Sequence, residues 1–492
     1  MPVRSFSRDE TWMFPPTVDE LVAADHPARF VAAFVDALER ATWAELGVAL
    51  DGQARGAAGY HPRILLGVWL YGFMSGVRSS RKLEGACRDQ VPYLWLSGWQ
   101  RPDHNTLWRF YQAHRQQMRR LLKRTVRTAV RAGLVELALQ AVDGTKIAGN
   151  AAKARTYDRA GLERLLARTE AAIVDLEAQN VGGEDPPPPT LPAELAQREA
   201  LQARVKEALA VVTAEDGPKR INLTDAEAVL LKSRQGYLAG YNAQAMVAGL
   251  APAVVEQTGR SGLLITAADV VAEASDQAQL APMLEQSVEL TGTAPTVLLA
   301  DGGYHSVENL VACDGRQQTV VMPESQRARL ASPYHKDAFR YDIESDSYTC
   351  PKGQVLRFFK LKPDPKHPER PPARVYQGAP SVCRACPAFG TCTTSRRHGR
   401  TVQIGPEDAA LRRHRVWMAT LEAVTLYRRR KTLPEPVFGI LKEQQSARRF
   451  LLRGLDQVRA EWSLLATAFN LRTLARLWQA GALASFQLAP IR

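Results

Sequence analysis

Three acids in this chain stand where metal-assisted phosphodiester chemistry would want them. Asp143 ends the apolar run LVELALQAVD and precedes Gly144. Asp301 follows TVLLA and precedes Gly302 and Gly303. Glu435 lies between Pro434 and Pro436 at the start of PEPVFGILKE. Hard Mg2+ ions prefer oxygen ligands. Two of them, about 4 Å apart, activate an attacking oxygen and stabilise a leaving one. An acid before glycine also suits an ordinary turn, and an acid in a first helical turn suits the helix dipole. It is the pair on two strand ends that points beyond turns. Gly439 and Lys442 fall on the helix face of Glu435. An acid, a small residue and a cation on one face suit a strand of DNA. YRRRK (427–431), just upstream, adds a tyrosine and four cations.

The second constellation is of thiols. Cys350 opens CPKG, Cys383 and Cys386 form a CxxC, and Cys392 follows. Four thiolates can close a tetrahedral structural zinc site, with His398 as a substitute ligand. Buried unliganded thiols or a redox pair are the alternatives, although no thioredoxin-like βαβ pattern surrounds the CxxC. Cys87 and Cys313 stand apart, and Cys87 reads as a small buried residue.

These groups need elements to hold them. The first 132 residues read as helices: ARFVAAFVDALERA after Asp25-His26-Pro27, the apolar ILLGVWLYGFMSGV after Pro62, and RKLEGACRDQ capped by Ser79-Ser80. A third long helix from Asp103 to about Val130 carries Arg109, Arg115, Arg119, Arg120, Lys123, Arg124 and Arg127 without an acid. Such one-sided charge suits a nucleic-acid-facing helix, or else a surface that pairs with acids elsewhere, and short helices with tight turns over 62–130 suit a helix-turn-helix. Trp95, Trp99 and Trp108 read as core. Strands are expected at 134–143, 240–249, 262–271 and 296–300, with a helix from Ser275-Asp276 to Leu290. Helices at 158–180 and 193–213 flank NVGGEDPPPPTLP and form a hairpin. Residues 302–400 read as loop with β-like pieces, and helix resumes near 405. Asp143 and Asp301 then end the first and fourth strands, where open α/β sheets place chemistry. His305 and Lys146 lie close enough in sequence to contribute, though each also suits a loop or surface.

The chain has 492 residues and a net charge of +13. Such an excess points to a polyanion, nucleic acid or an anionic membrane. No apolar run is long enough to span a bilayer, MPVRSFSRDETWMFPP lacks the apolar core of a signal peptide, and no basic helix has a broad apolar face. No GxxxxGK[ST] occurs, so ATP is not implied.

PRILLGVWLYGFMSGVRSSRKLEGACRD, PDHNTLWRF, DGTKIAGNA, GYNAQAMV, LADGGYHS and YRRRKTLPEPVFGILKE together resemble the bacterial insertion-sequence DDE transposases. The resemblance covers most of the chain. It implies an α/β fold: an RNase-H-like mixed sheet with flanking helices, an all-α N-terminal domain, a helical-hairpin insertion and a small β-rich, Cys-containing insertion. The expected boundaries are 1–132 for the DNA-binding domain and 133–301 with 405–492 for the catalytic domain. The hairpin would occupy 157–215 and the β/loop insertion 302–404. By resemblance Asp143, Asp301 and Glu435 bind Mg2+ or Mn2+. The Tyr-Arg-Glu-Lys signature maps onto Tyr427, Arg430, Glu435 and Lys442. One residue more than usual separates Arg430 from Glu435 here, so Arg429 or Lys431 competes for the arginine's role. Tyr427, Arg430 and Lys442 are expected to touch DNA, as are Arg115, Arg119 and Lys123. The implied activity is cleavage at element ends and strand transfer into target DNA, by a dimer or larger assembly in the bacterial cytoplasm and nucleoid. A catalytically inactive DNA-binding derivative, or a tyrosine-type recombinase using Tyr427, are the rival readings.

Overall fold

The computed structural model describes residues 17–50, 59–181, 191–233, 236–324, 332–365 and 368–483. The N-terminal stretch 1–16 and residues 182–190 of the expected proline-rich loop lie outside them. The chain divides into two compact units. One comprises residues 1–276, 282–294 and 432–492, the other residues 277–281 and 295–431.

Among the described residues, the first unit begins with seven helices: α1 (Pro27–Asp36), α2 (Arg40–Glu45), α3 (Pro62–Ser75), α4 (Ser80–Asp89), α5 (Val91–Leu96), α6 (His104–Met118) and α7 (Arg120–Arg131). Proline opens α1 and α3, where its missing N–H costs no helical bond. α3 is apolar nearly all round and is buried accordingly, from Leu65 to Phe73. Asp103 caps α6 by accepting from the N–H groups of Asn105 and Thr106, both at 2.8 Å. The expected single basic helix is in fact α6 and α7, broken at Arg119, whose carbonyl accepts from Ser463 Oγ at 3.3 Å. A side chain inserted into the helical ladder is a recognised cause of such a break. Two expected core tryptophans are exposed, Trp99 at 53% and Trp108 at 37%, whereas Trp69 fills the core. Cys87 is buried, as expected.

Next come β1 (Val135–Ala148), β2 (Thr156–Tyr157), α8 (Arg159–Val181), α9 (Leu191–Thr213), β3 (Ile221–Asn222), β4 (Val229–Ser233), β5 (Gly236–Leu250), α10 (Pro252–Thr258), β6 (Leu263–Val271) and α11 (Leu280–Thr291). β5 pairs antiparallel with β1, β4 and β6. α8 and α9 form the expected hairpin. Leu162 near the start of α8 clusters with Val205 and Ala208 late in α9, as antiparallel helices require. β2 and β3 pair at its base. β5 was expected to alternate, but Ala239 to Ala248 are buried without a break. Strands covered on both faces lose the alternation.

The first strand differs from expectation in a way that matters. It does not stop at Asp143 but continues to Ala148, with Asp143 opposite Ala245 and Gly144 opposite Gln244. Glycine is needed inside this strand for room. A Cβ on Gly144 would lie 2.4 Å from Asp276 Oδ1 and 2.5 Å from Gln244 Nε2.

The second unit carries β7 (Val297–Leu299), α12 (Val307–Gly315) and β8 (Thr319–Val321), a compact βαβ with its strands parallel. The residues after Asp301 are therefore not loop. β9 (Arg340–Asp342), β10 (Ser347–Thr349), β11 (Val355–Lys362), β12 (Ala373–Gly378), α13 (Pro380–Ala385) and β13 (Thr401–Ile404) follow. The five strands form an antiparallel sheet over a core of Phe339, Tyr348, Leu356, Tyr376 and Val402. α14 (Asp408–Met418) and α15 (Leu421–Arg429) close the unit.

The chain returns to the first unit as α16 (Pro434–Glu443) and α17 (Leu455–Gln479). α17 is buried along most of its length. Its Asn470 side chain exchanges hydrogen bonds with both backbone groups of Ile265, at 2.8 and 2.9 Å, and Trp462 Nε1 donates to Gln244 O at 2.9 Å. The result is a mixed α/β protein with a helical N-terminus, consistent with an RNase-H-like domain.

Candidate active site

In the first unit, β1 presents Asp143 and Thr145 on one face because strand side chains alternate. The facing β5 residues are Ala245 and Ala243, both fully buried. α16 turns Val437, Phe438 and Leu441 into the core, leaves Glu435 and Gly439 exposed, and holds Lys442 half-buried. Lys442 Nζ donates to Thr145 Oγ1 at 2.5 Å. Burial, then Arg448, holds the Lys442 ammonium below its usual range, while Glu443 and Asp143 oppose the shift. The cation late in α16 and the acid of β1 thus share one electrostatic field. Nothing lies within 4 Å of a Cβ built on Gly439.

The other face of β1 holds a polar group that was not foreseen. Asp276 Oδ1 accepts from Asn242 Nδ2 at 2.7 Å and from Gln244 Nε2 at 2.8 Å, across the space left by Gly144. Asn242 and Gln244 both come from the GYNAQ motif, which was the available signal. Lys146 turns away from Asp143 and donates to Lys232 O at 2.9 Å.

Asp301 lies in the second unit, directly after β7. Its Oδ1 accepts from Gly303 N at 2.7 Å, and Tyr304 beyond it is fully buried. Ser306 caps α12 by accepting from Asn309 N at 3.1 Å. His305 faces Glu324, 3.8 Å away, and Glu324 pairs with Arg415 at 2.7 Å. Arg415 also binds Asp337 at 2.5 Å. His414 donates from Nε2 to Met322 O at 2.8 Å. Burial, the largest influence on each, lowers the pKa of His305 and His414, so both rings are held neutral. Tyr427 and Arg428 line a cavity of about 640 Å³ with Glu324, Asp337 and Arg415. The Arg430 guanidinium lies over the Tyr427 ring, 5.9 Å from its centre. A short 3-10 turn, Arg430–Thr432, separates α15 from α16.

Among the described residues, no group of three or more His, Cys, Asp and Glu side chains is arranged to hold a metal ion. The family comparisons add what the geometry alone does not. A model of the transposase DDE domain matches residues 349–475, and a transposase-domain model matches residues 16–113. Both matches are to transposase families, and together they support an insertion-sequence DDE transposase. The DDE match spans Tyr427, Arg430, Glu435 and Lys442. Asp143 and Asp301 fall outside both matches. No curated protein and no solved structure matches the chain.

The basic residues expected on DNA are partly engaged within the first unit. Arg115 donates to Gln457 Oε1 and its guanidinium lies 5.9 Å from the Trp108 ring centre. Lys123 pairs with Glu289 at 3.0 Å, and Arg124 is buried against Thr42. Arg119 sits at the helix break. No helix among the described residues is long and apolar enough to cross a membrane.

Proposed function

We propose that the chain is a metal-dependent DNA transposase whose Asp143, Asp301 and Glu435 hold two Mg2+ or Mn2+ ions. The donor set fits, because three carboxylates offer the hard oxygens such ions prefer. When bound, the ions would activate the attacking oxygen and stabilise the leaving one at each in-line displacement. Water would serve as nucleophile at the element ends, and the freed 3′-hydroxyl would attack target DNA. Lys442 would neutralise phosphate charge beside Asp143, with Thr145 fixing its reach. Tyr427 and Arg430 would bind the DNA backbone upstream of Glu435. Synapsis of two inverted-repeat ends calls for a dimer or larger assembly on DNA.

The observation that carries this reading is the Lys442–Thr145 bond. It brings the signature helix against the acid-bearing strand from 297 residues away. The test is cleavage of a plasmid carrying the DNA that flanks the gene, with Mg2+, Mn2+ or EDTA. Loss of cleavage in EDTA and in Asp143→Asn is expected. A covalent tyrosine–DNA product in EDTA would support a recombinase instead. Binding without cleavage in either metal would mark an inactive derivative.

A further inference from the structure

The second unit carries a cluster of thiols remote in sequence from all three acids. Cys350 sits in the turn between β10 and β11, Cys383 on α13, Cys386 at its end and Cys392 in the turn beyond. All four line one cavity of about 30 Å³, and all are free thiols. That volume is the size of a single water or ion rather than an organic ligand.

The surrounding backbone is shaped around the sulfurs. The Cys350 turn closes with Gly353 N donating to Cys350 O at 2.8 Å, and Gly353 takes the φ of +76° that favours glycine. Gln354 N then donates to Cys350 Sγ at 3.3 Å. Arg400 N donates in the same way to Cys383 Sγ at 3.4 Å. An N–H aimed at sulfur stabilises a thiolate over a thiol. A Cβ on Gly378 would lie 3.1 Å from Cys383 Sγ, so glycine keeps that space for the sulfur. Lys352 and Arg400 also line the cavity and offset negative charge.

We propose that Cys350, Cys383, Cys386 and Cys392 form a structural zinc site that ties the β10–β11 turn to the segment after β12. The cluster joins the turn after β10 to the segment after β12, as a structural tetrathiolate does. Each S–H gives its proton to solvent as its sulfur bonds to Zn2+. Four protons leave, no electron is transferred, and no co-reactant is required. As they stand the four side chains do not form a metal-holding group, so binding would require them to close on the ion. His398 is exposed and does not line the cavity, so it is not a ligand.

The test uses the full chain purified without chelator. Elemental analysis should find one zinc per chain, and Co2+ exchange should give the visible bands of a tetrahedral cobalt thiolate. Alkylation followed by mass mapping should show these four cysteines protected by zinc and exposed by chelation. That measurement needs no variant. Cys386→Ser should lose the metal, while Cys87→Ser should keep it. Absence of zinc with no cobalt bands would overturn the site. So would a Cys383–Cys386 disulfide in the freshly isolated chain, or equal alkylation with and without zinc. None of these readouts depends on the carboxylate site.

Discussion

Arg78 and Glu461 meet at 2.6 Å in a buried ion pair, 383 residues apart in the chain. Arg78 also donates to Ser446 O and Arg449 O, and Glu461 accepts from the N–H groups of Leu451 and Leu452. The pair therefore clamps the segment leaving α16. That segment reaches the end of β1, where Phe450 N donates to Ala148 O at 2.8 Å.

Removing one partner leaves a buried charge uncompensated. Glu461→Ala should destabilise the first unit by about 3–5 kcal/mol. Arg78→Met combined with Glu461→Leu should recover much of the loss, because neither charge then remains. Denaturant unfolding of the parent and the two variants checks both statements. Equal stability of Glu461→Ala and the parent would dismiss the clamp.

Lys442→Ala should slow end cleavage on the order of 100-fold, as loss of a charge-stabilising donor does. Thr145→Val should cost less, and Thr145→Ser should restore the parent rate because it keeps the hydroxyl. DNA affinity measured alongside separates chemistry from binding. A rate in Lys442→Ala equal to that of the parent would remove Lys442 from the site.

Two glycines make opposite predictions. Gly144→Ala should cost about 1–3 kcal/mol, since its Cβ meets Asp276 and Gln244. Gly439→Ala meets open space on a helix and should gain up to about 1 kcal/mol. Thermal melts of the pair decide the point, and the same sign for both would contradict the packing.

Acidification should weaken the second unit. His305, His335 and His414 are each held below the ordinary value of 6.5, chiefly by burial. Between the folded values and 6.5 the unfolded chain binds more protons, so their stability is present above 6.5 and lost as pH falls. Melting temperature measured from pH 7.5 to 5.5 should fall more steeply in the parent than in His305→Asn/His414→Gln. Parallel slopes would rule the histidines out.

Local signals carried much of the fold. Pro62 before an apolar run, Asp103 before the basic run and the stripe through Leu162, Thr169 and Ile173 each specify a helix with the residues at hand. The same holds for the residue types of the signature and for the clustering of four cysteines. All of these depend on neighbours within a few turns of chain. The continuation of β1 through Gly144 does not. It needs Asp276, Asn242 and Gln244, which only the folded sheet brings beside it.

The exposure of Trp99, the commitment of Lys123 to Glu289 and the short β8 were likewise decided by tertiary contacts. A three-residue strand has too little pattern to read, and a lysine's partner 166 residues away leaves no local trace. The sequence alone determined which residue types could do chemistry and which helices would carry them. The tertiary structure decided which of those cations remain near an acid, because charge pairing and burial act through space and not along the chain.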